Sequence, residues 1–184
     1  GIYKVSGINS TEEMTWKQYA KSLIAFNLIG LVFLTLLQMW QGMLPLNPEH
    51  FANVPWHLAF NTAVSFVTNT NWQAYSGENT MSYLTQMLGL GVQNFVSAAT
   101  GLAVLLALAR GISRKQTKML GNFWVDLVRS TVHVLLPLSL VLAIVLVGQG
   151  VVQNFNSYVH AKTIEGAEQI IPVSYTHLTL PTKA

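Results

Sequence analysis

Asn61-Thr62-Ala63-Val64-Ser65-Phe66-Val67-Thr68-Asn69-Thr70-Asn71-Trp72-Gln73 is apolar and helix-compatible through Val67, then turns abruptly into alternating Thr and Asn. It lies between two apolar segments of membrane length. The stretch is too short to cross a bilayer and too polar at its end to lie in lipid, so it reads as a re-entrant half-helix followed by an extended loop. Such backbone is tolerated at membrane depth only where it lines an aqueous path.

An extended loop whose carbonyls share one side can replace the hydration shell of a cation. It must alternate between right- and left-handed backbone, and after Gly the residue that best visits the left-handed region is Asn. Thr68, Asn69, Thr70 and Asn71 meet that need, and the half-helix would aim the negative end of its dipole, roughly half an elementary charge, at the same point. From these residues alone two readings stay open, one quadrant of an ion filter or a Thr/Asn-rich extramembrane turn.

The composition points to lipid. The chain is 51% hydrophobic and 9% charged, against about 25% charged in soluble domains. Its net charge of +3 is therefore read by position, as topology. There is no Cys, hence no disulfide framework, Cys metal site or thiol nucleophile. Gly1 stands where an initiator Met would, and no cleavable leader pattern follows, so the chain reads as an internal piece.

Around the opening stretch the segments fall in order. Residues 1–22 form a cytoplasmic interfacial lead-in, with Ser10 and Glu13 as a capping box for a short helix through Trp16 and Tyr19. Leu23–Trp40 is the first span, in which Asn27 is expected to bond between helices. Residues 41–55 carry Pro45, Pro48 and Pro55 and make a loop holding Glu49 and His50, read as solvated; Trp56 or His57 opens the half-helix. Thr80–Ala109 is the second span, with Gln86, Gln93 and Asn94 buried along it and Ser97 and Gly101 on a small-residue packing face. Arg110, Arg114, Lys115 and Lys118 make residues 110–119 a basic loop, cytoplasmic by the positive-inside rule; beside a span this cluster reads as topology, and no nucleic-acid partner is expected. Residues 120–147 are the third span, kinked at Pro137, with Asp126 and Arg129 pairing at i and i+3 and His133 packed one turn further in. Residues 148–172 are polar and acidic and fall outside, and the Thr68–Asn71 loop opens to that side. The fold class is thus all-α integral membrane.

The run Asn61 to Glu78, with Gly91-Val92-Gln93-Asn94-Phe95 downstream, closely resembles the KdpA family, the potassium-binding subunits of bacterial Kdp potassium-transporting ATPases. The resemblance runs from about Gly1 to about Pro172. Residues 173–184 depart from it; they resemble translated read-through of a sequencing-library adapter and are set aside as non-native.

The resemblance implies a superfamily of potassium transporters built from four repeats of helix, half-helix, filter strand and helix around one pore. Residues 23–109 would be one repeat and the helix from Leu120 the first of the next. The family's first filter strand falls on Thr68, Asn69, Thr70 and Asn71, which would hold potassium, and Gln73 falls on a position linked to selectivity. Without a Gly between Ser65 and Trp72, Asn must take the strained backbone positions, at roughly 1 to 3 kcal/mol each. The resemblance further implies a multi-pass subunit of the bacterial inner membrane, without a catalytic site of its own. Its partners would be a KdpB-like ATPase subunit that uses ATP, a KdpC-like subunit, a small KdpF-like subunit and the lipid bilayer. The chain shows neither a phosphate-binding Gly-rich loop nor a phosphorylation motif. The rival readings are an autonomous Trk/Ktr-like potassium transporter without an ATPase partner and a structural membrane subunit without an ion path.

Overall fold

A computed structural model describes residues 8–9, 11–114, 119–150 and 158–171 other than 163, 165 and 167. The structure is mostly helical, and three of its helical segments are long and apolar enough to cross a membrane: Trp16–Met39, Thr85–Ser113 and Phe123–Gly148.

Helix α1 (Trp16–Met39) is capped by Thr15, not Ser10. The Thr15 hydroxyl accepts from the Gln18 N–H, and the Gln18 side chain accepts from the Thr15 N–H at 2.9 Å. This reciprocal box satisfies two otherwise orphaned donors. The expected interfacial helix and the first span are therefore one continuous helix. Ser10 lies outside the described residues, and Glu13 pairs instead with Arg114 at 2.8 Å. Asn27 donates to the Leu23 carbonyl of its own helix at 2.9 Å, so it bonds within α1 rather than across to another helix.

The half-helix α2 (Trp56–Val67) has 12 residues, about 18 Å at 1.5 Å per residue, well short of a hydrocarbon core of about 30 Å. Pro55 precedes it, where a missing N–H costs nothing. Its Ala59, Ala63 and Phe66 recur on one face and bury against Leu34 of α1, with Val54, Met81 and Leu90 completing the cluster. Gln38 of α1, fully buried, donates to Ala59 O of α2 at 3.1 Å and to Leu34 O at 2.9 Å.

The loops on this side are held by Gln41, also fully buried. Its amide donates to Ala52 O and Thr80 O, each at 2.7 Å, and accepts from Ser82 N–H at 3.2 Å. One side chain thus ties together the segments that enter and leave the α2 region.

A short helix α3 (Gly77–Thr80) interposes before the second span, whose helix starts at Tyr83 rather than Thr80. The Ser82 hydroxyl accepts from Thr85 N–H at 3.2 Å, and this local bond sets the start. The span continues as a π-helical segment, Thr85–Gly91, then as α4 (Val92–Ser113). At Gly89 a Cβ would stand 2.7 Å from a Leu37 methyl, so α1 approaches this close only because the side chain is absent. Gln86 and Gln93 are buried as expected, whereas Asn94 is exposed. Ala99, Ala103 and Ala107 form the close-packed stripe, against Tyr19 and Phe123. The expected partner of Ser97 in that stripe, Gly101, faces open space.

The third span is α5 (Phe123–Arg129), a π-helical segment Ser130–Leu135 and α6 (Leu136–Gly148). It starts at Phe123, not Leu120, because Asn122 Oδ1 accepts from the N–H groups of Trp124 and Val125. Leu120 instead donates its N–H to Met14 O at 3.0 Å, beside a bridge between Thr15 and Met119. The irregularity expected at Pro137 takes the form of the π segment just before it, where the ladder gains a residue ahead of the missing N–H. His133 lies in that segment and is exposed, not packed.

The polar segment after α6 carries a two-stranded antiparallel hairpin, β1 (Val159–Lys162) and β2 (Glu168–Ile171), in the register Val159 to Ile171 and Lys162 to Glu168. Glu49 accepts from the Tyr158 N–H at 3.0 Å, which ties this segment to the loop before α2. Residues 173–184 lie outside the described residues.

Candidate functional site: the loop at the end of the half-helix

The last turn of α2 decides the shape of the loop. Thr68 N–H bonds to Val64 O, Asn69 N–H to Phe66 O, and Thr70 N–H to Ser65 O at 2.9 Å. With Asn69 at φ +56°, these last two bonds make a Schellman cap, the standard left-handed end of a helix, with Asn where Gly is usual. Asn71 N–H also reaches Ser65 O at 3.3 Å, and Asn71 is left-handed too, at φ +60°. The two Asn residues thus take the left-handed positions as their residue type suggests. The loop itself is not the extended strand expected from sequence. It curls around the helix end because Ser65 O captures two successive N–H groups.

The curl leaves acceptors unused. Among the described residues, no donor bonds the carbonyls of Val67, Thr68, Asn69 or Thr70. Thr68, Asn69 and Thr70 are exposed, and so is Gln73 two residues beyond Asn71. The carbonyl ends of the last α2 turn lie at the same place, so the local field is that of a helix C-terminus and favours a positive charge. The Thr68 and Thr70 hydroxyls lie 2.9 Å apart.

The side chains of the loop are engaged on one side. Asn71 Nδ2 donates to Asn94 Oδ1 at 2.9 Å and to Asn69 Oδ1 at 3.3 Å. Ser97 Oγ donates to the same Asn69 Oδ1 at 3.2 Å. The Ser65 hydroxyl donates to Trp72 O at 2.9 Å and fixes the exit of the loop. Tyr75, packed against the α2 cluster, has a buried hydroxyl without a partner among the described residues, and burial pushes it well above the usual tyrosine range, so it stays neutral.

The five residues singled out from sequence, Thr68, Asn69, Thr70, Asn71 and Gln73, therefore sit together at one helix end. Sequence reading missed the residues that hold them. Ser97 read as a packing residue and Asn94 as buried. The signal that could have found them is their spacing: positions i and i+3 share a helix face, and a polar pair on one face of an apolar span asks for polar partners.

At the other end of the bundle the expected Asp126–Arg129 pair does not form. Asp126 is bidentate with Arg110, the second contact being Nη2 to Oδ1 at 2.8 Å, and Tyr19 donates to Asp126 Oδ2 at 3.1 Å. Arg110 also donates to Leu120 O at 2.9 Å. Arg110 stays within α4, so it meets α5 across the helix interface, whereas Arg129 on the same helix as Asp126 is exposed.

Comparison with known proteins gives a consistent result. The KdpA family model, described as potassium-transporting ATPase A subunit, matches residues 1–177. The chain is 64% identical over 171 residues to a potassium-transporting ATPase potassium-binding subunit of Pseudomonas aeruginosa, covering 93% of this chain and 30% of that protein. It is 62% identical over 173 residues to the subunit of that name from Pseudomonas entomophila, covering 94% of this chain and 31% of the relative. A third, from Yersinia pestis, is 58% identical over the same shares. The chain thus spans about a third of the length of the curated relatives it matches.

Proposed function

The chain belongs to the KdpA family, and on that premise we propose that it supplies the first of four filter quadrants in the potassium-binding and translocating subunit of an ATP-driven uptake complex. Potassium entering from the extracytoplasmic side exchanges hydration water for the carbonyls of Thr68, Asn69, Thr70 and Asn71, beside Gln73, and moves inward. The complex sits in the bacterial inner membrane, with the basic stretch 110–119 cytoplasmic. A KdpB-like partner hydrolyses ATP, and KdpC-like and KdpF-like subunits complete the assembly.

The observation that carries this reading is a 12-residue half-helix ending in a loop with two left-handed Asn residues and a run of unbonded carbonyls. A helix C-terminus and bare carbonyls both favour a dehydrated cation and repel an anion. One quadrant cannot surround an ion, so three more must face it.

The test is potassium-stimulated ATP hydrolysis by the purified complex carrying the full-length subunit, wild type against Gln73→Arg. A fixed positive charge beside the loop raises the half-saturating potassium concentration at least tenfold. Unchanged potassium stimulation would remove Gln73 and its loop from the ion path. Hydrolysis indifferent to potassium in the wild type, or the absence of a co-purifying ATPase subunit, would favour an autonomous transporter.

A further inference from the structure

We propose that Asn94 and Ser97, on the helix that follows the loop, are positioning residues that set which cation the loop accepts. The proposal rests on the filter reading and deepens it.

The two residues bracket a continuous chain of hydrogen bonds. Ser97 Oγ donates to Asn69 Oδ1, Asn69 Oδ1 also accepts from Asn71 Nδ2, and Asn71 Nδ2 donates on to Asn94 Oδ1. Both ends of the chain stand on α4, three residues apart and thus on one face. Both middle members are the left-handed residues of the loop. The single Ser97 proton is shared between Asn69 Oδ1 and Asn94 O, the latter at 3.0 Å, a bifurcated donation, and Ser97 is buried.

The consequence is a tether that glycine could not provide. Gly would take φ near +60° more easily than Asn, but it carries no side chain to anchor. Asn supplies the left-handed turn and, through its amide, a bond to a rigid transmembrane helix. The side chains are pulled toward α4 while the carbonyls stay unbonded, so the spacing of the carbonyls is fixed by α4 and not by the ion. Ions of one charge and different radius are told apart only by carbonyls that resist closing around the smaller one or keep a set field strength. The tether is neutral throughout, so it stiffens the loop without adding a charge that would raise affinity for every cation alike.

The signature is a loss of discrimination at retained turnover. In the complex with the full-length subunit, the ratio of half-saturating sodium to half-saturating potassium for stimulated ATP hydrolysis should fall about three- to tenfold in Ser97→Ala, the scale of one lost hydrogen bond. Maximal hydrolysis at saturating potassium and the yield of complex stay near wild type, since Ala removes one oxygen from a helix. Ser97→Thr, which keeps the hydroxyl, restores the ratio. Asn94→Ala, at an exposed position that leaves the core untouched, shows the same fall, and combined with Ser97→Ala it lowers the ratio further. An unchanged ratio in both single variants, or an equal shift for the two ions, overturns the proposal. Gln73→Arg in the same assay separates the two claims: if it changes the response and the α4 variants do not, the tether alone is wrong, and if none of the three does, the filter reading is wrong.

Discussion

Replacing Asp126 by Leu in the full-length subunit should be the most damaging single change at the basic end of the bundle, and the reason can be worked through. Asp126 is almost wholly buried, with its side chain 3% exposed, and Arg110 is 24% exposed. The carboxylate accepts two bonds from the guanidinium and one from Tyr19. Removing it leaves Arg110 with the Leu120 carbonyl as its only remaining partner among these, and Tyr19 with the Ala103 carbonyl. Loss of one member of a buried pair costs about 3 to 5 kcal/mol, mostly through the charge left behind. The reverse single variant, Arg110→Met, strands the carboxylate and costs a similar amount. The double variant Arg110→Met/Asp126→Leu strands neither and leaves a hydrophobic pair between α4 and α5. It should therefore recover at least half of the summed loss of the two single variants, giving a coupling of about 3 kcal/mol or more. The assay is the midpoint of unfolding of the full-length subunit in mixed micelles titrated with a denaturing detergent. Two single variants whose effects simply add would refute the pairing of Arg110 with Asp126, and so would a larger loss in Arg129→Met than in Arg110→Met.

Two further outcomes follow from the loop end. Asn69→Gly should leave folding stability within about 1 kcal/mol of wild type, because Gly is the usual residue at this place in a Schellman cap, whereas Asn69→Ala should cost about 1 to 2 kcal/mol more than Asn69→Gly for its left-handed backbone; equal stabilities in the same titration would contradict φ of +56° at this residue. Gln41→Leu should cost about 3 kcal/mol or more, since it leaves Ala52 O, Thr80 O and Ser82 N–H without the bonds that Gln41 makes to them. Faster proteolysis at residues 44–55 checks that loss, and an unchanged cleavage rate would count against Gln41 as the tie between these loops.

Much of this architecture was legible without coordinates, because length and hydropathy are local quantities. Three apolar runs long enough to span, a shorter fourth run between them, and the switch to Thr and Asn at Thr68 together specify helices, a half-helix and a loop that cannot face lipid. The Asn residues also declared their backbone: few other side chains tolerate a left-handed turn, and Asn69 and Asn71 take it. Helix starts were less legible. Ser10 and Thr15 both head a polar-x-x-Glu/Gln pattern, and only the bond actually made, Thr15 with Gln18, distinguishes them.

Partner choice was beyond the sequence. Asp126 has a cation three residues away at Arg129 and pairs instead with Arg110, because the packing of Ala99, Ala103 and Ala107 against Tyr19 and Phe123 brings α4 and α5 close enough for the guanidinium to reach across. Asn94 and Ser97 are separated from the loop by more than twenty residues and meet it only because α4 passes beside the end of α2. The sequence by itself determined which segments enter the membrane and where the backbone turns left-handed, since hydropathy and steric tolerance belong to single residues and short runs. Only the tertiary structure decided which distant side chains brace that turn and which charges neutralise each other, since a hydrogen bond or ion pair depends on separations in space that chain spacing does not set.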